Sequence, residues 1–528
     1  MTKIVKPKRE VNSVSENAII GVDIGTTSTK TTAFDLSGNI LAETSREYPL
    51  YSEPAGRAEQ DPDEILEAMI DTLSQIVKTV TDMGNEVSGV SFSAAMHSLI
   101  AIDKSGNPLT RSITWADQRS TEETTQLKSD ERGLSIYRRT GTPIHPMSPL
   151  TKLIWFQKHD PEVFKATHKW ISIKEYIFYK LFHEFIVDYS IASATGLFHL
   201  EKLDWDDEAL QVAGISREQL SSPVSTTQTI KGMNSDYARE IGLSEEIPFI
   251  VGASDGVLAN LGVGAIETGS VACSVGTSGA VRTVLPKPVT DSQGRTFCYA
   301  LTEDHWVVGG PINNGGIAFR WLRDNVFDDM KLKDSEDPYD LLTERARNVV
   351  PGAQGLLFLP YLTGERAPYW NADTKAVFFG LTLNHNRNEM IRSVLEGVMY
   401  QMDSVVEALK ETGVEPLEFR ATGGFTKSRL WRQIMADIFE REILVPEGSS
   451  SACFGAALLG MNALGILSDF SSVKDMVQIS SRHEPNEENM RVYREFKPIF
   501  NRLAKSLQSE FKTLSDVNKK LNNTKAAL

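Results

Sequence analysis

The sequence predicts an α/β protein built on mixed sheets with helices on their faces, and three observations predict it. Short apolar runs that read as buried strands alternate with amphipathic helical stretches along the 528 residues. The first elements run strand, strand, strand, helix, strand, an order that calls for antiparallel and parallel neighbours in one sheet. Residues 21–34 (GVDIGTTSTKTTAF) are echoed by residues 271–284 (VACSVGTSGAVRTV), each with a strand, a Gly-Thr-hydroxyl turn and a β-rich strand. The echo points to two related domains, each offering a tight glycine turn to one shared ligand.

Each element has its own signal. Asn17–Ile24 (NAIIGVDI) is a short apolar run closed by a glycine turn, which marks a buried strand. Thr31–Phe34 and Ile40–Thr44 read as the next two strands, joined by the turn Asp35–Asn39. Asp61 caps a helix, Pro62 suits its first position, and Glu64 is expected to complete a capping box. Leu66, Met69, Ile70, Leu73, Ile76, Val77 and Val80 then recur at helical spacing and form one buried stripe. Val87–Phe92 returns as a strand, and Thr151 to about Leu181 reads as mainly helical.

A second cycle begins with strand Ile247–Val251, helix Gly256–Gly264 and strand Ser270–Ser274. A long helix follows, with Ile391, Val394, Leu395, Val398, Met402, Val405 and Leu409 on one face. After it come strand Glu418–Thr422, helix Leu430–Phe439, strand Ile443–Val445 and helix Phe454–Leu464. The expected organisation is a disordered lead (1–16), an N-terminal domain (17–264), a C-terminal domain (265–516) and a frayed polar tail (517–528).

Charge and composition narrow the function classes. The 55 Lys+Arg against 70 Asp+Glu give a net charge of −15, which argues against a nucleic-acid or anionic-membrane partner. Cys273, Cys298 and Cys453 stand far apart, without a C-x-x-C or a His cluster at metal spacing. That pattern fits a reducing, cytoplasmic location and no structural zinc. The first sixteen residues lack the apolar segment of a signal peptide, and no run of about 18 apolar residues offers a membrane span.

The chemistry-bearing motifs are glycine turns at strand ends. In Asp23-Ile24-Gly25-Thr26-Thr27-Ser28-Thr29-Lys30, glycine admits close approach of a phosphate, and backbone N–H groups and hydroxyls supply donors. Asp23 is placed to hold Mg2+ directly or through water; an ordinary hydroxyl-rich hairpin with a capping Asp is the alternative. Gly276, Thr277 and Ser278 repeat the donors without a carboxylate. A third cluster, Gly309–Gly316, contains Asn314 and Gly315 and precedes a helix. Gly423 and Gly424 end a strand where a purine or phosphate can lie against backbone. No Gly-Lys dipeptide is present, which excludes a P-loop, and no G-x-G-x-x-G follows a strand. Several such turns in one α/β chain point to a nucleotide.

The order of motifs resembles the FGGY family of carbohydrate kinases, within the superfamily of actin, hexokinase and heat-shock ATPases. One long signature is met by Met147-Ser148-Pro149-Leu150-Thr151-Lys152-Leu153-Ile154-Trp155-Phe156. A second runs from Ala376 through Phe379-Gly380-Leu381 to Glu389, Ser393, Val394, Leu395 and Glu396. The resemblance spans roughly residues 17–500. It implies two ribonuclease-H-like domains facing each other, with ATP between them and the sugar deeper against the N-terminal domain; it also implies a homodimer.

The resemblance also distributes roles. Asp255, in Gly252-Ala253-Ser254-Asp255, becomes the base that accepts the proton of the sugar hydroxyl attacking the γ-phosphate; read alone, it would be a helix N-cap. Asp23 becomes the Mg2+-associated residue. Gly25, Thr26, Thr27 and Ser28, with Gly276, Thr277 and Ser278, become phosphate loops. Gly423, Gly424 and Ser428 take the adenosine, with Asn314 and Gly315 also assigned to ATP. Met96, His97, Trp115, Asp117 and Arg119 match the segments lining the sugar pocket, where His97, Arg119 and Lys174 are the candidate cations for an anionic group. For Lys174 the favoured reading is an ordinary polar helix face over Ser172–Leu181.

Departures within the family narrow the substrate. Xylulose kinases typically carry Gln-Met-His-Gly and Asp-Asn at the two pocket motifs, where this chain has Ala95-Met96-His97-Ser98 and Asp255-Gly256. Residues 139–147 (RTGTPIHPM), with Thr114–Asp117, resemble the gluconate-phosphorylating branch most. That branch implies ATP-dependent phosphorylation of D-gluconate to 6-phosphogluconate. A xylulose, other pentulose or polyol kinase, and a catalytically dead ATP-binding scaffold, stand as alternatives.

Overall fold

Strand β1 (Asn17–Ile24) lies at the middle of the first sheet and is buried along almost its whole length, as its apolar sequence requires. A computed structural model describes residues 17–327, 337–447 and 451–526, so the expected disordered lead lies outside the described residues. The chain divides into two units. The first comprises Met1–Thr268, Val284–Val308 and Ser450–Val477, and the second Gly269–Thr283, Gly309–Ser449 and Gln478–Leu528.

In the first unit, β1 is followed by β2 (Ser28–Asp35), β3 (Ile40–Glu47), α1 (Pro62–Asp82) and β4 (Glu86–Ala94). Helices α2 (Pro149–His159) and α3 (Ile173–Phe182) come next, then β5 (Thr229–Ile230), β6 (Phe249–Ser254) and α4 (Asp255–Gly262). The sheet order is β5-β6-β4-β1-β2-β3. Strands β1, β4 and β6 run parallel, while β2, β3 and β5 pair antiparallel with their neighbours. The stripe on α1 is buried, with Met69, Leu73 and Val80 inaccessible to solvent.

The second unit holds β7 (Ser270–Val275), β8 (Gly279–Leu285), β9 (Trp306–Ile312), α5 (Gly316–Val326) and α6 (Arg387–Glu411). It continues with β10 (Glu418–Thr422), α7 (Arg429–Phe439) and β11 (Ile443–Pro446). Helix α8 (Ser451–Ala463) is followed by β12 (Ile479–His483) and α9 (Gln508–Ala526). The strand order β9-β8-β7-β10-β11-β12 repeats that of the first unit read from β3 to β5, and a seventh strand, Phe297–Ala300, is added at the edge beside β9. Strand β7 is antiparallel to β8 and parallel to β10, β10 is parallel to β11, and an antiparallel strand closes the edge. The sequence echo is therefore an echo of topology.

Helix α8 belongs to the first unit although it follows the second unit's β11. It is apolar nearly all round and packs on β1, β4 and α4. Its approach to α4 is closed by glycine. A Cβ on Gly455 would stand 2.1 Å from the Leu258 carbonyl oxygen, and one on Gly262 would stand 1.8 Å from that of Ser451.

Three expectations change. Asp61 caps α1 by accepting from the Asp63 N–H at 3.0 Å, but no capping box forms; the Glu64 carboxylate accepts from the Tyr51 hydroxyl at 3.1 Å instead. The helical stretch from Thr151 to Leu181 is interrupted by strand Lys169–Ile171, which pairs with Ile100–Ile102. The tail expected to fray continues as α9 to Ala526, and its sequence carries neither Pro nor Gly to stop it.

Candidate active site

The parallel register of the first sheet gathers three chemical groups at one edge. Asp23 pairs with Ser93 across β1 and β4, and Ala94 pairs with Ser254 across β4 and β6. The carboxyl ends of these strands therefore deliver Asp23, the Met96-His97 turn and Asp255 side by side, where α/β sheets place ligands.

Asp23 is only partly covered, and its Oδ1 accepts from the Ser93 hydroxyl at 2.7 Å. Burial pushes its carboxyl up, with Ser93 and Lys30 pulling the other way. The turn after it is fixed from several directions. The Gly25 N–H donates to the Ser28 carbonyl at 3.0 Å, and the Tyr48 hydroxyl donates to the Gly25 carbonyl at 2.6 Å. Gln60 Nε2 donates to the Thr26 carbonyl at 2.6 Å, and Trp115 Nε1 to the Thr26 hydroxyl at 3.0 Å.

Asp255 is the first residue of α4 rather than its cap, which is Ser254. Its Oδ1 accepts from the Gly256 N–H at 2.7 Å. Behind it, the Ser254 hydroxyl meets that of Ser190 at 2.9 Å. Lys174 Nζ lies 2.6 Å from Asp188 Oδ2 and donates to the Ala253 carbonyl at 3.2 Å. Both partners of that ion pair are buried, so Lys174 braces the strand leading to Asp255 instead of standing open to an anion.

The sugar-side candidates share the first unit. His97 is buried with φ 69°, and its Nδ1 lies 2.7 Å from the Ala194 carbonyl, so that nitrogen carries the proton. Met96 packs against the partly shared apolar clusters beneath. Asp117 is fully buried and accepts from the Ala58 N–H at 2.8 Å and from Arg119 Nε and Nη2 at 2.7 and 2.8 Å. Burial would raise its carboxyl, but these bonds outweigh it and hold the group below the usual carboxylate range. Arg119 also donates to Glu59. Its side chain, only 5% exposed, is thus committed to two carboxylates. Arg57 lies 3.8 Å from the same Glu59 oxygen, and both guanidinium groups sit against the Trp155 ring, at 4.8 and 5.3 Å. Two Arg and two carboxylates leave that cluster neutral.

Lys152, met in the first signature but given no role from sequence, is fully buried on the first turn of α2. Its Nζ donates to the carbonyls of His97, Thr114 and Met147 at 2.9, 2.8 and 2.7 Å. Burial pushes the ammonium down to about 7, while three carbonyl dipoles aimed at Nζ favour the protonated form.

In the second unit, Ser274 pairs with Thr422, which sets the Gly276-Thr277-Ser278 turn beside Gly423-Gly424. Gly423 has φ 100°, and a Cβ there would meet the Val275 carbonyl at 2.3 Å. The Gly316 N–H donates to the Gly276 carbonyl at 2.7 Å and the Ile317 N–H to that of Thr277 at 3.1 Å, fixing the turn to the start of α5. A cavity of about 270 Å3 opens here, lined by Gly276, Thr277, Gly424 and Ser428 as expected. Phe319, Arg320 and Tyr339 line it too; no motif marks them, because a helix side chain reveals its neighbours only once packed. A larger cavity of about 640 Å3, bordered by Glu267, His305 and Asp469 in the first unit, contains none of the expected residues.

Ser278, Gly423, Asn314 and Gly315 are not among the residues lining the cavity of about 270 Å3. The Asn314 amide donates to the Gly364 carbonyl at 2.7 Å and to Glu365 Oε2 at 3.2 Å, and its oxygen accepts from Thr363 N–H and hydroxyl. It fastens the 363–365 loop. The Gly315 N–H donates to the Thr277 carbonyl at 3.2 Å.

Comparison with known proteins bears on this arrangement directly. The N-terminal domain of the FGGY family of carbohydrate kinases matches residues 18–262, and the C-terminal domain of that family matches residues 271–464. The chain belongs to the FGGY family of carbohydrate kinases. It is 48% identical over 508 residues to a gluconokinase of Bacillus subtilis (strain 168), across 95% of this chain and 98% of the relative. It is 30% identical over 496 residues to a xylulose kinase of Staphylococcus epidermidis, across 93% and 97% of the two chains. Among solved structures, a gluconate kinase from Lactobacillus acidophilus superposes with a TM-score of 0.90 at 36% identity, covering 95% of this chain and all of that one. The fold is thus the two-domain, actin- and hexokinase-like architecture of FGGY kinases.

For an FGGY kinase the nucleotide's Mg2+ is the implied metal. Among the described residues there is no group of three or more His, Cys, Asp or Glu able to hold an ion. A single hard carboxylate, Asp23, matches Mg2+ arriving with phosphate oxygens and its own waters rather than in an all-protein cage. No described helix is long and apolar enough to cross a membrane.

Proposed function

We propose that this chain is an ATP-dependent kinase that phosphorylates D-gluconate to 6-phosphogluconate. The observation that carries the reading is the 48% identity over nearly the full length to the Bacillus gluconokinase, against 30% to the Staphylococcus xylulose kinase. The polyol is assigned to the N-terminal domain (17–264) and ATP to the C-terminal domain (265–516).

The proposed chemistry uses groups already described. The Asp255 carboxylate, at the sheet edge and partly open, takes the proton of the substrate's 6-hydroxyl as that oxygen bonds to the γ-phosphorus and the bond to the β,γ-bridging oxygen breaks, releasing ADP. Gly25, Thr26, Thr27 and Ser28, together with Gly276, Thr277 and Ser278, present N–H groups and hydroxyls to phosphate oxygens. Gly423, Gly424 and Ser428 border the adenosine. Mg2+ bound with the nucleotide would supply charge neutralisation at the phosphates, with Asp23 as its protein partner. Met96, His97, Trp115, Asp117 and Arg119 shape the sugar-acid pocket; Arg119 contributes there as part of a neutral cluster.

A coupled ADP-release assay across sugars, polyols and sugar acids tests the reading. Gluconate is expected to give the highest turnover. A preference for xylulose would transfer the assignment to another kinase of the family, and no ADP release with any substrate would mark an ATP-binding scaffold.

A further inference from the structure

The signature lysine of α2 has a geometry that its sequence position does not explain. Lys152 is fully buried, yet its ammonium meets no carboxylate at ion-pair distance among the described residues. It spends its three N–H bonds on three backbone carbonyls, those of His97, Thr114 and Met147. These carbonyls come from three separate segments of the first unit. One is the turn after β4, which carries Met96 and His97. The second directly precedes Trp115, Ala116 and Asp117. The third opens the segment leading into α2 itself.

We propose that Lys152 is a positioning residue of the sugar-acid pocket, a single buried ammonium that holds the His97 turn and the Trp115–Asp117 segment in fixed relation to α2. Three donors arranged tetrahedrally about one nitrogen suit three convergent carbonyls. A planar guanidinium fork does not. No other cation among the pocket candidates does this work. Arg119 is held by Asp117 and Glu59, and Lys174 by Asp188. Burial disfavours the Lys152 charge most, and Asp117 and Arg119 act on it with opposite sign.

The inference rests on the gluconate-kinase reading. The test is steady-state kinetics of the full-length Lys152→Met protein beside the wild type, with folding followed by a thermal melt and by binding of ATP. The gluconate KM is expected to rise about tenfold to a hundredfold, as loosened pocket segments misplace the substrate. The KM for ATP is expected to stay within about twofold, because most of its assigned groups lie in the second unit and Lys152 reaches the Gly25–Ser28 turn only indirectly, through the Trp115 to Thr26 hydrogen bond. Equal rises in both KM values, or an unchanged gluconate KM, would overturn the proposal. If Lys152→Met does not fold, Lys152→Arg carries the same test and the same expected split. Failure of both variants to fold would assign Lys152 to stability and overturn the proposal. A wild-type protein inactive toward gluconate would instead refute the underlying reading, so the two failures are distinguishable.

Discussion

Asp255 is the proposed base, and its replacement by Asn keeps the size while removing the proposed proton acceptor. Asp255→Asn is expected to lower turnover by about 10²- to 10⁴-fold with the ATP KM little changed; undiminished turnover would remove Asp255 from the role of base. A second carboxyl yields a pH signature. Glu365, within the 363–366 loop, is buried, and burial pushes it up to about 7 despite donors from Asn313, Asn314 and Arg366. Between its ordinary value of 4.5 and about 7, the folded chain retains a proton that the unfolded chain has lost. Its contribution to stability is thus full below 4.5 and is lost as pH rises through about 7, amounting to at most about 3 kcal/mol. Melting temperatures at pH 5 and pH 8 should show Glu365→Gln gaining on the wild type at the higher pH; a constant difference would refute the assignment. Asp23 stands out in the sequence as a candidate because it lies at a strand end before a glycine turn, whereas Asp255 stands out only through the family resemblance, since read alone it would be a helix N-cap. The commitment of Arg119 to Glu59 was not legible, because sixty residues separate the pair. Nor was the clamp at Lys152, since backbone carbonyls leave no trace in residue identity.

The two hairpins show what a local pattern conveys at the scale of elements. Strand, Gly-Thr-hydroxyl turn and strand were readable at 21–34 and 271–284, and the pairing of β1 with β2 and of β7 with β8 follows from them. The packing of α8 on α4 was not readable, because its determinant is two glycines 193 residues apart whose closeness only the fold creates. Gly455→Ala forces a methyl to 2.1 Å from the Leu258 carbonyl oxygen. It should destabilise the protein by about 1–3 kcal/mol, seen as a lowered melting temperature in calorimetry. An unchanged transition would mean that the helices separate without penalty. Glu64 marks the opposite lesson: its spacing suits a capping box, but a tertiary hydroxyl from Tyr51 captures the carboxylate.

At the scale of the molecule, the two units are discontinuous along the chain. Residues 284–308 and 450–477 join the first unit although they follow the start of the second in sequence. A linear reading places one boundary near 264 and has no means of seeing such returns; that of residues 450–477 arises from α8 burying its apolar surface on β1 and β4. The net charge of −15 is compatible with anionic substrates because the assigned phosphate contacts are N–H groups and hydroxyls. The central claim, transfer of the γ-phosphoryl group of ATP to the 6-hydroxyl of gluconate, is tested most directly by product. Purified protein with ATP, Mg2+ and either D-gluconate or D-xylulose should be followed by phosphorus NMR and initial rates. The account predicts 6-phosphogluconate, with kcat/KM for gluconate about tenfold or more above that for xylulose. Phosphorylation of xylulose in preference, or of neither, would contradict it.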